Sequence, residues 1–183
     1  DNIFAEMARP AMLKYIDESK LDANDKKYVG YLRNWNLRND VGEVGASVFR
    51  SIWDSLEVAV WADEFKNAKL PLQWPDESTL LEQMLRDSVI LFQDNISTPN
   101  IKETMFDALT VAIKKATPYL QQMEKEGTLA WGAFKDTRVN HLLKIPALSR
   151  LHLPIGGGVH IINATTGNHG PSWRMVVHLV DGI

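Results

Sequence analysis

No cysteine occurs in the 183 residues. That excludes a disulfide scaffold, a thiol nucleophile and thiolate metal sites, and leaves the compartment open. Long apolar runs are also missing: none approaches the ~20 residues of a membrane-spanning helix. Charge of one sign is scarce as well. The net charge is −3, so there is no global basic field for nucleic acid. Internal repeats and low-complexity tracts are absent. So are an initiator methionine and a signal peptide. The chain opens at Asp1 and stops at Ile183, one residue past Asp181-Gly182. Both ends read as cut, so the expectation is a fragment or processed piece of a longer polypeptide.

What is present is the composition of an ordinary globular chain, 45% hydrophobic and 23% charged, and its length fits one domain with a real core. Apolar residues at helical spacing predict helices over 2–16, 22–35, 44–65 and 76–85. Pro10 is expected to kink or start the first of these rather than continue it. Asp22 and Asp76 are the predicted N-caps of the second and fourth. The third has a strong stripe, with Val48, Ile52, Leu56 and Val60 four residues apart. Residues 70–75, with Pro71 and Pro75, predict a loop, and 89–92 predicts a short extended run. Asn100 with Glu103 resembles a capping box and opens a further predicted helix, restarted or kinked at Pro118 and stopped at Gly127. From 129 to 153 the pattern weakens towards irregular backbone.

The last stretch, 154–183, has the most unusual local chemistry. Gly156, Gly157 and Gly158 allow positive φ or close approach of another segment. Two β-branched runs, 159–164 and 173–180, flank a cluster of turn formers, which predicts a β-hairpin with a longer loop. Both faces of the second run are apolar, so it is expected to be covered on both sides. The fold class is therefore α+β, mainly α: about five to six helices over a helical region, 1–153, then a C-terminal antiparallel hairpin.

No residue set forms a self-contained catalytic constellation. His141, His152, His160, His169 and His178 lack the i, i+4 spacing and HExxH pattern of a metal site, so no metal or other cofactor is expected, although His160 and His178 could be cross-strand neighbours. The three glycines precede a strand rather than a helix N-terminus, which argues for a close-packed bend and against a phosphate cradle. Ser172 stands in Gly-Pro-Ser-Trp-Arg, not in the Gly-x-Ser-x-Gly of a nucleophile elbow. With His169 and Asp181 it could be drawn as a triad, but a structural serine is the better reading. Arg138, Arg150 and Arg174, with Lys135 and Lys144, make the last third locally basic. Trp35, Trp53, Trp61, Trp74, Trp131 and Trp173 fall mostly on apolar faces and read as core.

Several segments, in order, resemble the β-subunit of the penicillin acylase (penicillin amidase) family. The late segment Gly156-Gly157, then Asn163-Ala164, then Ser172-Trp173-Arg174-Met175-Val176, is similar to the family's Gly-Gly, Asn-Ala and Ser-Trp-Arg-Met-Val elements, with His178 where many relatives carry Asp. Leu32 and Trp35, Leu91 through Asp94 with Thr98-Pro99 and Glu103-Thr104, and Trp131-Gly132 match earlier family elements. Together they cover most of residues 28–180. The resemblance implies an N-terminal-nucleophile (Ntn) amidohydrolase whose hairpin belongs to a larger sheet core. It implies hydrolysis of a linear amide, a β-lactam side chain or an N-acyl amide, with a Ser nucleophile and oxyanion Asn outside this chain. No catalytic residue and no metal ligand transfers onto these residues, and residue 1 is Asp rather than Ser. The implied partners are the remaining segments of the same precursor and a small amide substrate, without nucleic acid or membrane, and the implied location is periplasmic or secreted. Set against this are a non-enzymatic helical binding domain and a hydrolase built on Ser172 and His169.

Overall fold

The computed structural model describes residues 1–66, 72–86, 91–170, 175 and 177–179. Its helices are α1 (Ile3–Lys14), α2 (Ala23–Asn34), α3 (Gly45–Lys66), α4 (Glu77–Leu85), α5 (Met105–Lys125) and α6 (Trp131–Lys135). Two short strands follow, β1 (Thr137–Val139) and β2 (Arg150–Leu153), paired antiparallel. The fold is thus mainly α with a small hairpin, as the sequence predicts. No described helix is long and apolar enough to cross a membrane.

The other helices are built around α3. Val48, Ile52, Trp53, Leu56, Val60 and Trp61 are each no more than 1% exposed, the predicted four-residue stripe turned wholly inward. It packs along α5, with α2 against both. On α5, Ala108, Ala112 and Ala116 recur every four residues beside Leu109, Ile113 and Leu120, all buried. Small side chains at that spacing leave grooves into which the ridges of a neighbouring helix settle. Rings tie on the remaining elements: Phe4 of α1 meets Trp53 edge-on at 5.0 Å, and Trp35, which ends α2, lies 5.4 Å from Phe49. The start of α3 depends on a missing side chain, because a Cβ on Gly45 would stand 2.3 Å from the Trp35 Cβ.

Helix ends follow local chemistry closely. Asp22 accepts from the amides of Asn24 and Asp25 while Asp25 accepts from the Asp22 amide, a complete capping box. Asp25 is also 2% exposed and accepts 2.6 Å from the Thr117 hydroxyl, fastening α2 to α5. Asp76 caps α4. Gly127, at φ 72°, ends α5 in a Schellman arrangement, with the Thr128 amide on the Met123 carbonyl.

Several expectations are corrected. α1 runs through Pro10. Pro10 and the carbonyl-bearing Glu6 are both exposed, so the carbonyl left without an amide faces water. α5 begins at Met105, not Asn100. Thr104 and Asp107 form the capping box, and Glu103 instead accepts from the Thr98 hydroxyl and the Asn95 amide. α5 also continues through Pro118. Leu91–Gln93 is one 3-10 turn rather than an extended run, and residues 89–90 lie outside the described residues.

The hairpin lies earlier than 154–183. Its strands are only three and four residues long, joined through a 3-10 turn at Pro146–Leu148 and broken by a register shift, too short for alternation to register. Residues 159–163 form turns and bends, and 164 is not strand either. The Gly158 amide reaches the Asn163 carbonyl and the Ala164 amide reaches the Ile162 carbonyl, so the segment closes on itself. Of the second predicted run, 173, 174, 176 and 180 lie outside the described residues, and 175 and 177–179 are not strand.

Ile52→Ala is expected to lower the free energy of unfolding by about 2–5 kcal/mol. Val111→Ala, at a site 55% exposed on the opposite face of α5, should stay within about 0.5 kcal/mol. Thr117→Val, which strips the buried Asp25 of a donor, should cost about 1–3 kcal/mol. Urea titrations followed by tryptophan fluorescence measure all three.

Candidate functional site

A pocket of about 590 Å³ opens where α3, the start of α4, α6 and the 156–167 segment meet. That volume is in the range of small-molecule sites. Phe49, Trp131 and Phe134 give it aromatic walls, Arg50, Glu57, Glu77 and Lys135 give it ionisable groups, and His160 adds an imidazole.

Gly158 lines one wall, and the two glycines before it are tightly packed. A Cβ on Gly156 would stand 2.8 Å from the Asn39 carbonyl oxygen, and one on Gly157, at φ 89°, only 2.1 Å from that of Asn163. The Gly157 amide donates to the Asn39 carbonyl at 2.8 Å. The three-glycine run is a close-packed bend, as expected. Its carbonyls serve as acceptors. Trp131 Nε1 donates 2.7 Å to Gly157 O, and Lys135 Nζ donates 2.9 Å to Gly156 O and also to the Thr165 hydroxyl. Neutral oxygens surround this ammonium, so burial pushes the Lys135 pKa down to about 8.

A charged chain forms the other wall. Arg50 donates to Asp54 at 2.5 Å and to Glu77 at 3.1 Å, and Glu77 pairs in turn with His160 Nε2. His160 stacks on Phe4 at 4.9 Å. Burial pushes the Glu57 carboxyl up, against the pull of Arg50. Asn39, 8% exposed, keeps its Oδ1 buried without a hydrogen bond.

These groups can bind and orient a molecule. They do not make a nucleophile. Among the described residues, the hydroxyl that stands beside a base in the pocket is that of Thr165, next to Lys135. It is 1% exposed and already donates to Gly156 O at 2.9 Å, leaving a substrate carbonyl no approach.

The histidines scatter. His152 pairs with Asp136 at 2.7 Å, His141 Nδ1 accepts from the Leu143 amide, His169 sits in a turn and His178 is exposed. His160 meets Glu77, not His178 across a strand. No metal-binding cluster occurs among the described residues. Arg138 pairs with Asp136. Trp35, Trp53, Trp61 and Trp131 are buried, as expected, while Trp74 is 39% exposed. Ser172, Trp173, Arg174 and Asp181 lie outside the described residues. Sequence reasoning did not single out Arg50, Glu77 or Asn39. The one usable signal is the polar set Arg50, Asp54 and Glu57, spaced by four and three residues on the side of α3 away from the Val48–Ile52–Leu56 stripe.

The Lys135 ammonium predicts a pH effect of definite sign. Below about 8 the amine is charged folded and unfolded alike. Between about 8 and its ordinary value of 10.5 the folded chain releases a proton that the unfolded chain keeps, so stability from this group rises with pH across that window. Urea midpoints measured from pH 7.5 to 10.5 should rise in the parent relative to Lys135→Met. A relative fall would contradict the burial of this ammonium.

Comparison with curated proteins finds no match, and neither does comparison with solved structures. A family profile described as Penicillin amidase matches residues 1–182. That span takes in the core helices, the pocket and the hairpin alike, and the chain belongs to the penicillin amidase family, a family of hydrolases.

Proposed function

We propose that these residues are a late β-chain segment of an amidase of the penicillin acylase type, and that they serve as its scaffold rather than its chemistry. One observation carries this reading: the family match runs over residues 1–182, while the charged groups of the pocket are spent on one another and on backbone carbonyls. The nucleophile is a serine at a processed chain start outside residues 1–183. Its own α-amine takes the hydroxyl proton as the oxygen attacks the amide carbonyl, and donors contributed elsewhere hold the oxyanion. The amine leaves, and water then cleaves the acyl-enzyme. The substrate is a linear amide, a β-lactam side chain or an N-acyl amide. The partners are the remaining segments of the same precursor, and the enzyme works in the periplasm or outside the cell.

The pocket supports a second, coarser reading, a helical domain that binds a small molecule without transforming it. Assay separates the two. The complete open reading frame containing these residues, expressed and allowed to process, is expected to release free amine from a penicillin or an N-acyl amide. The 183-residue chain alone should be silent, and Ser172→Ala in the complete protein should leave turnover unchanged. Turnover by the 183-residue chain that vanishes with Ser172→Ala would overturn the proposal.

A further inference from the structure

The hairpin is bare. Residues 138–156 include no buried residue. Leu142 is 96% exposed, Leu143 76% and Leu148 62%. Among the described residues β1 and β2 form a sheet of two strands; the Arg138 amide of β1 donates to the Gly167 carbonyl at 2.8 Å, so the edge without a partner is that of β2. A two-stranded ribbon is marginal in water, and an apolar edge is a template for another strand. Its charge is one-sided too. Residues 137–180 contain no Asp or Glu, whereas residues 1–136 hold 22 of the 23 acids. Asp136 is taken by Arg138 and His152. Lys144 and Arg150 have no acidic partner among the described residues.

We propose that the 137–153 hairpin is the docking surface for a further segment of the same enzyme polypeptide, an extended one in which apolar side chains alternate with carboxylates. This rests on the amidase reading, which places further segments of the precursor around these residues. The apolar side chains cover Leu142, Leu143 and Leu148. The carboxylates meet Lys144 and Arg150, and the backbone pairs with the outer edge of β2, as in strand addition. An anionic lipid surface would match the charge and the leucines, but it offers no partner for the edge amides and carbonyls. The acidic body of a second copy is helical and offers no strand either.

The test uses the complete, processed polypeptide with the photo-crosslinking residue benzoylphenylalanine in place of Leu142, and maps the adduct by mass spectrometry. The expected adduct is a peptide of the same polypeptide from outside residues 1–183, rich in Asp or Glu. Lys144→Glu with Arg150→Glu should cut its yield about tenfold, as expected when charge complementarity is reversed. Adducts confined to residues 1–136 of a second copy, adducts to lipid from vesicles of phosphatidylglycerol, or no adduct would each overturn the proposal. A complete protein that hydrolyses amides but gives no such adduct defeats the docking surface and leaves the amidase reading standing. The expected adduct without amide hydrolysis does the reverse.

Discussion

Everything here depends on α3 having two useful faces. One carries Ile52, Trp53, Leu56 and Val60 into the interior against the alanine-lined face of α5. The other carries Phe49, Arg50 and Glu57 to the pocket. Because one helix serves both, the pocket wall is as rigid as the core behind it. A side chain in a close-packed interior cannot move without creating a void or a clash. Gly45 and Trp35 fix where that helix starts, and the buried Asp25–Thr117 hydrogen bond fixes how α2 meets α5.

Rigidity on that side contrasts with the lobe beyond α6. There the chain turns on glycine carbonyls held by Trp131 and Lys135, and one chain of charges, Arg50 to Glu77 to His160, anchors it to the helical body. Its hairpin then extends into solvent with its leucines uncovered. A rigid helical support bearing an uncovered basic, apolar ribbon is the form expected of a part rather than a whole. It agrees with the proposal that the reacting groups lie elsewhere in the precursor.

How much was legible in the sequence differs by element. α2 and α4 were readable because apolar spacing and acidic caps point to the same boundaries, and α3 because its apolar stripe is long and regular. α5 was readable in its face but not in its start, since Asn100–Glu103 and Thr104–Asp107 both spell a capping box and only packing chooses between them. Ile101 ends 60% exposed, so nothing holds the earlier box in a helix. The hairpin was placed too late because β-branched runs at 159–164 outweighed two strands too short to show a period. The glycine bend was legible as a close-packed turn, since its tightness follows from Gly alone. The pocket was not legible, because Asn39, Arg50, Glu77 and Lys135 are far apart in the chain and share no spacing.

The central claim is that the chemistry of this amidase lies outside these residues. The most direct measurement is covalent labelling of the complete, processed protein with a serine-directed sulfonyl fluoride, with the modified residue mapped by mass spectrometry. A single adduct on a chain-terminal serine outside residues 1–183, formed as amide hydrolysis is lost, is the predicted result. An adduct on Ser172, or on any other residue of this chain, would contradict it.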